Sequence, residues 1–489
     1  MKAEEYSKMK VTIRSKAAPA AAKAFFGGKK APAEYRALLD RLEAAGRFDP
    51  NAAAVKTVDA GEGVLILLGK PADDVRHFKD LVARAFREAA GEKAETLELD
   101  LGSYDGALEP ALAVRAAAQA CLEAAYRFDY YLEKKSECPV KEVRLLHADA
   151  ARAALKKAAA LGAELGEAVC AARDAVNRTS WDMTPETLAK WAAGLCGGAP
   201  AEVELLDRAA LEKLGAKSLL SVSRGAANPP MMAVLRYRGD PKHPQRITAL
   251  IGKGITYDSG GLSLKSKDGM ITMHGDMGGA AATGAAFSVI ARSGMKLNVT
   301  AILPICENML SPEGYRPGDV IGSMDGKTIQ IRSTDAEGRL VLIDAMTYAI
   351  RCEKAERLVD IATLTGGAAK AYGPLVSAVA VTDETLRAGM KHASETSGDL
   401  MWEMPFVPDY ISFLRTSHAD IANSSIDAGS SMINAAVFLS RFTDGKPWMH
   451  IDIAGKSWVK KTEGCFCEGG TGVGTAALYD LCDYLAQNK

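Results

Sequence analysis

What this chain of 489 residues lacks narrows its role before any motif is read. No apolar run approaches the roughly eighteen residues of a membrane-spanning helix, so no membrane is expected as a partner. The opening Met1-Lys-Ala-Glu-Glu5 does not resemble a secretory signal. Net charge is nearly absent, because 60 lysines and arginines face 61 aspartates and glutamates. No global field therefore draws the chain to nucleic acid or to an anionic membrane. Residues 1–150 alone hold 24 basic and 24 acidic side chains, which argues against a DNA-binding module there and makes nucleic acid an unexpected partner. The nine cysteines lack regular spacing, with Cys465 and Cys467 the closest pair, and read as reduced thiols of a reducing, cytoplasmic compartment. Metal-ligand spacing is missing among the histidines: His77, His147, His243, His392 and His418 read as structural, His450 as a packed core residue, and His274 has no partner pattern. The glycine-rich loops have no Walker spacing and carry aspartate where a phosphate would be repelled.

What is present is ordinary globular composition, 48% apolar and 25% charged, in a chain long enough for two or three domains. Apolar or alternating runs at 9–14, 63–69, 95–101 and 142–147 read as strands, and amphipathic or alanine-rich stretches at 73–90 and 110–126 as helices. That alternation predicts an α/β unit with a mostly parallel sheet and no catalytic constellation. Residues 16–33, rich in alanine and lysine, are expected to form a solvated helix rather than a transit peptide. A long alanine-rich helix over 151–176 follows. The organisation expected is an N-terminal α/β domain (1–160), a linker helix (151–178) and a larger α/β domain (179–489). In the latter, Thr184 with Pro185 marks a capped helix start. Strands are expected at 203–206, 233–237, 247–251, 298–303 and 358–362, and helices at 207–215, 280–291 and 339–350.

The chemistry concentrates in three acidic stretches. Ser333-Thr-Asp-Ala-Glu-Gly-Arg-Leu340 packs Asp335, Glu337 and Arg339 between a strand-like run and an apolar helix. An extended i, i+2 pair would turn both carboxylates to one side, where they repel unless a proton or cation joins them. Ile251 to Lys265 reads as a glycine-rich loop after a strand and supplies Lys253, Asp258 and Lys265. Met273-His-Gly-Asp-Met-Gly-Gly279 adds Asp276 just before a helix. Ligands of open α/β sheets sit at the carboxyl ends of strands, where these loops fall. Asp344 and Asp360 are read as local hydrogen-bond partners rather than metal ligands.

Gly252-Lys-Gly-Ile-Thr-Tyr-Asp-Ser-Gly-Gly-Leu-Ser-Leu-Lys265, then Asp276-Met-Gly-Gly-Ala-Ala-Ala-Thr-Gly284, then Thr334-Asp-Ala-Glu-Gly-Arg-Leu340 resemble, in this order, the leucine aminopeptidase (cytosol aminopeptidase) family of dinuclear metallopeptidases. Leu303-Pro-Ile-Cys-Glu-Asn-Met309, Arg316-Pro-Gly-Asp319, Asp360-Ile-Ala-Thr-Leu-Thr-Gly366 and His450-Ile-Asp-Ile-Ala-Gly455 extend the likeness over roughly residues 170–489. The resemblance implies a macro-like N-terminal α/β domain and a catalytic α/β domain with a mostly parallel central sheet. It also implies hydrolysis of the N-terminal residue, leucine and other apolar residues favoured, from peptides with a free N-terminus, with a metal-bridged water as nucleophile. The four carboxylates match the charge of two divalent ions. By resemblance these are Zn²⁺ or Mn²⁺, with Mg²⁺ or Co²⁺ as substitutes. Asp258 and Glu337 would bridge, Asp335 would complete the more exchangeable site, and a neutral Lys253 with Asp276 the tighter one. Lys265 would stabilise the oxyanion, and Arg339 would hold bicarbonate as general base. Met273, Thr363, Gly366 and Ala454 would line the first side-chain pocket. A homohexamer is the implied assembly.

The chain departs from the family pattern at His274, Gly275, Ser333, Asn434 and Ser457, and Asn177 lacks the usual following proline. These bear on substrate preference rather than on the reaction. Two other readings stand beside the aminopeptidase. One is a DNA-binding regulatory protein, whose signature would be steep salt dependence. The other is a dinuclear phosphoesterase.

Overall fold

A computed structural model describes residues 9–59, 63–70, 73–425 and 429–488. Two sheets organise the chain. The first has six strands in the order Lys10–Arg14, Glu142–Leu146, Thr96–Asp100, Ala22–Phe26, Val64–Leu68 and Val55–Asp59. All neighbours run parallel except the last pair. Parallel neighbours need crossovers, and the helices Val75–Gly91 and Pro110–Ala125 supply them.

The expectation of a solvated helix over 16–33 fails here. Ala22–Phe26 is a central strand, paired on one side with Val64–Leu68 and on the other with Thr96–Asp100. Phe25 and Phe26 are buried against leucine-rich neighbours, and that packing outweighs the helical preference of the alanines around them. The strand Val55–Asp59 and the helix Arg36–Ala44 were also not legible in the periodicity.

The long helix, Ala153–Asn177, packs against both Pro110–Ala125 and Gly278–Ser293, so one rod touches the layers of both sheets. Its approach to Pro110–Ala125 is close: a Cβ at Gly162 would stand 2.2 Å from the Arg115 carbonyl oxygen. Arg173, fully buried on this helix, donates to the carbonyls of Glu123, Cys465 and Thr471 and so ties both ends of the chain to it.

The second sheet runs Met401–Glu403, Ser377–Val381, Trp448–Asp452, Arg357–Ala362, Ile247–Gly252, Asn298–Asn308, Met231–Arg238, Ala201–Leu206. Its four central strands are parallel to one another. Antiparallel pairings flank them. Ile247–Gly252 and Asn298–Asn308 are buried along their whole length, as a parallel sheet covered on both faces requires. Thr184 caps the helix Pro185–Leu195 by accepting from the Thr187 backbone, as the sequence suggests.

Two local expectations are corrected. The stretch after Ile251 is not all loop, because Gly254–Asp258 forms a strand on the carboxyl half of Asn298–Asn308, with a register shift between Ile255 and Tyr257. Residues 333–337 are not extended either. Thr334 and Asp335 lie in a turn, and Glu337 immediately precedes the helix Gly338–Arg351 without a capping side-chain bond. A small sheet of Val320–Gly322, Thr328–Gln330 and Ile421–Ala422 delivers the chain to that turn. Among the described residues no helix is long and apolar enough to cross a membrane.

Candidate active site

Three chain segments meet at the carboxyl ends of the central strands. Lys253 sits between Ile247–Gly252 and Gly254–Asp258, and Asp258 is the last residue of the latter. Asp276 stands just before the helix Gly278–Ser293. Asp335 and Glu337 arrive on the turn that opens Gly338–Arg351. Carboxylate oxygens of Asp258, Asp335 and Glu337 lie within 4.8 Å of one another. The convergence expected of the acidic stretches is present, although a turn rather than an extended pair produces it.

Two lysines occupy the cluster. Lys253 Nζ lies 2.8 Å from Asp276 Oδ2 and 2.8 Å from Glu337 Oε1. Lys265 Nζ lies 2.8 Å from Asp258 Oδ2 and 2.6 Å from Asp335 Oδ1. Four carboxylates against two ammonium groups leave the buried cluster short of positive charge. The acids respond as electrostatics requires. Burial pushes Asp258 up to about 6, with the Glu337 charge adding to the shift and Lys265 opposing it. Burial raises Asp276 and Asp335 as well. Glu337 moves down despite its burial, because Lys253 and Lys265 both face it. Burial works to lower Lys253, but Asp276, Glu337 and Asp258 outweigh it, and its pKa rises. In this arrangement the surrounding carboxylates favour the charged form of Lys253.

The donor set fits divalent cations. Glu337 Oε2 is buried without a hydrogen-bond partner among the described residues, as an oxygen reserved for an ion would be. Arg339 presents the opposite polarity. Its Nη1 donates to the Asn423 carbonyl, while its buried Nε has no partner among the described residues, and burial pushes its pKa down to about 10. A small anion would satisfy that donor.

These groups open on a cleft of about 410 Å³. Met273, Thr363, Gly366 and Ala454 line it together with the five acidic and basic residues above, Lys265 and Arg339, so every candidate named from the sequence is in one place. Ser457 and Trp458 line it too, and His274 packs edge-on against Trp458 at 5.3 Å between ring centroids. His450 is fully buried and pairs with Asp360, which also accepts from Trp448. Asp344 accepts three backbone N–H groups, those of Ser218, Leu219 and Met324. All nine cysteines are free thiols.

Sequence reasoning missed the residues that hold these segments together. Asn308 donates from Nδ2 to Asp258 Oδ1 at 2.7 Å and to the Thr334 carbonyl at 3.0 Å, joining two acidic segments. Asn423, fully buried, accepts from the backbones of Arg332 and Ser333 and donates to the Ser333 carbonyl. Thr363 Oγ1 donates to Asp276 Oδ1 at 2.6 Å. Asn308 stands at the end of an apolar strand, and a polar residue there is the one signal that could have been followed.

Comparison with known proteins agrees with this geometry. The family described as cytosol aminopeptidase, catalytic domain, matches residues 170–479, and its N-terminal domain matches residues 12–135. A probable cytosol aminopeptidase of Alkaliphilus oremlandii is 39% identical over 428 residues, covering 87% of this chain and 85% of that protein. One from Clostridium perfringens is 40% identical, covering 88% of each. Among solved structures, the bottromycin maturation enzyme BotP in complex with Mn is 33% identical with a TM-score of 0.84, over 95% of this chain and 99% of that one. A mutant of tomato leucine aminopeptidase is 26% identical with a TM-score of 0.87, over 97% of this chain and 96% of that one. The acidic cleft at the strand ends, the two-sheet architecture and matches spanning most of the chain lead to one assignment: the protein belongs to the cytosol aminopeptidase family, metal-dependent hydrolases that remove residues from the N-terminus of peptides.

Proposed function

We propose that this chain removes apolar N-terminal residues, leucine foremost, through a site for two divalent ions, Zn²⁺ or Mn²⁺. The observation that carries the reading is the approach of Asp258, Asp335 and Glu337 to within 4.8 Å in a cleft shared with two lysines. Asp258, Asp276, Asp335, Glu337 and Lys253 would hold the ions. Such a pair, when bound, supplies Lewis acidity for a carbonyl and for water. Lys253, paired here with Asp276 and Glu337, would serve as a ligand in its neutral form.

The remaining work falls to the chain's own groups. Asp276, whose Oδ1 accepts from Thr363, would hold a substrate's α-amine. An internal peptide bond has no such amine, which restricts cleavage to the N-terminus. Lys265 is half-buried on the open side of the cluster and keeps its charge, because the carboxylates outweigh the burial that works against it. Its ammonium would stabilise the oxyanion as the carbonyl is attacked. Arg339 would hold bicarbonate through its Nε, which has no partner among the described residues, and that anion would supply the general base. Met273, Thr363, Gly366 and Ala454 are small or apolar and leave room for a leucine side chain.

The reading extends to context. A catalytic unit of residues 179–489 would be joined through the helix at 151–178 to an N-terminal unit of residues 1–160, in a cytoplasmic homohexamer. The test is metal content per chain beside hydrolysis of a panel of aminoacyl amides. Two ions and a preference for leucyl amide are expected. Hydrolysis of phosphate esters without amide cleavage would overturn the reading.

A further inference from the structure

The wall of the cleft is held by a residue that does not itself reach it. Trp448–Asp452 and Arg357–Ala362 are parallel neighbours, and Asp452 stands opposite Ala362 where both strands end. Beyond these ends the chain forms two pieces of the first side-chain pocket, Thr363 to Gly366 and Ala454. Asp452 is 1% exposed. Its Oδ1 accepts from the backbone N–H of Leu364 at 3.1 Å, Thr365 at 3.4 Å and Ala454 at 3.1 Å. Its Oδ2 accepts from Thr365 Oγ1 at 2.7 Å. Thr365 Oγ1 in turn accepts from the Ala368 N–H and caps the helix Gly366–Tyr372. One carboxylate thus gathers four donors from both walls.

The walls are pressed together at the same place. A Cβ at Gly455 would meet Ala369 Cα at 2.8 Å, and Ala369 also lines the cleft. The bonds continue toward the chemistry, because Thr363, next to Leu364, donates to Asp276. Strand ends diverge by default, and two backbone segments with free N–H groups turned inward have no reason to keep a fixed separation. A shared carboxylate supplies that reason.

We propose that Asp452 is a positioning residue that sets side-chain selectivity by fixing the distance between the Thr363–Gly366 wall and the Ala454 wall. The inference rests on the aminopeptidase reading and on the pocket named there. Without the carboxylate, the four donors seek other partners and the walls separate. A leucine side chain then loses its contacts, while an alanine side chain, which never filled the pocket, loses little. Pockets discriminate by about tenfold or more per methylene when they fit closely.

The experiment compares kcat/KM for leucyl and alanyl amides on the same metal-loaded preparation of wild type, Asp452→Ala, Asp452→Asn and Thr365→Val. The ratio of the two substrates cancels any loss of folded or metal-loaded enzyme, so a merely structural role would not move it. Asp452→Ala is expected to lower the leucyl-to-alanyl ratio by on the order of tenfold, mostly through a higher KM for the leucyl substrate. Asp452→Asn keeps an oxygen for the three N–H groups and should recover most of the ratio. Thr365→Val severs the Oδ2 bond and should give a smaller fall, and it carries the test alone where Asp452→Ala does not fold. A wild-type ratio in Thr365→Val together with a wild-type ratio in every folded Asp452 variant overturns the proposal while leaving the aminopeptidase intact. A wild-type enzyme that cleaves leucyl and alanyl amides equally removes the pocket itself, and the proposal with it.

Discussion

The two lysines of the cleft invite comparison, because each lies between two carboxylates and yet their surroundings differ. The side chains of Lys253, Asp276 and Glu337 are 3%, 6% and 2% exposed. Around Lys265, Asp258 is equally buried, but Lys265 is 20% and Asp335 37% exposed. The deep half is the more enclosed, and the Thr363 carbonyl accepts from Lys253 Nζ there at 2.9 Å. The shallow half faces the opening. Burial fixes geometry and raises the cost of an unpaired charge, whereas exposure lets a group exchange partners with a substrate. The same three-residue pattern is thus enclosed in one place and exposed in the other.

The comparison breaks most completely under chelation. If both halves exist to hold cations, stripping divalent metal should take amide hydrolysis to background, and Mn²⁺ or Zn²⁺ should restore it. A stripped enzyme that turns over at its original rate would show that the lysines alone neutralise the cluster. Arg339→Ala is the next largest effect. Apart from the acids of the cluster, the described residues of the cleft lining offer no carboxylate or imidazole to act as base. Loss of a general base costs roughly 10²–10⁴ in rate, so kcat should fall by that order with partial recovery in added bicarbonate. An unchanged kcat would remove the anion from the account.

The acids themselves were legible because each group sits in a contiguous stretch with glycines or an apolar strand beside it. Strand ends, loops and helix starts could be placed from Ile247, Asn298 and Arg339 onward by their apolar runs. What could not be read is how the stretches are clamped. Asn308 reaches Asp258 across 50 positions, Asn423 reaches Ser333 across 90, and Asp452 reaches Leu364 across 88. No periodicity encodes such contacts. They depend on strand order, which the sheet fixes and local pattern does not. Ala22–Phe26 was misread for a related reason: its strand character comes from its neighbours in the sheet rather than from its own alanines.

The lysines can also be separated directly. Arginine keeps its proton, so Lys253→Arg cannot become a neutral ligand. In the deep half, a guanidinium would also meet Gly338, whose Cβ position already lies 2.7 Å from Lys253 Nζ. Bound metal per chain should fall, and activity with it. Lys265→Arg has room on the open side and should keep its metal while losing roughly 10²–10³ in kcat through misplaced donors. Full metal occupancy with good activity in Lys253→Arg would mean that the deep lysine is a point charge like the shallow one.

The smallest effect sharpens the comparison, since it concerns a residue bonded to Asp258 and to the turn of the shallow half. Asn308 Nδ2 is shared between Asp258 Oδ1 and the Thr334 carbonyl, and it holds the carboxylate in register with the turn that carries Asp335. The Gly260 N–H also donates to Asp258 Oδ1, so removing the amide leaves one of two bonds to that oxygen and frees the turn. Groups that orient metal-binding carboxylates typically contribute 10–100-fold in affinity or activity. Asn308→Ala should therefore weaken metal binding by about that factor in one of two sites, read as a split between two transitions when the stripped enzyme is titrated with Mn²⁺ in a calorimeter. The deep site, for which Asp276 and Lys253 are the further proposed ligands, should shift less. If both transitions shift together, the halves are coupled through Asp258 more tightly than their burial suggests. If neither shifts, Asn308 braces only the fold, and the turn at Thr334 and Asp335 is held by the Tyr315 hydroxyl, which also donates to the Thr334 carbonyl at 2.8 Å.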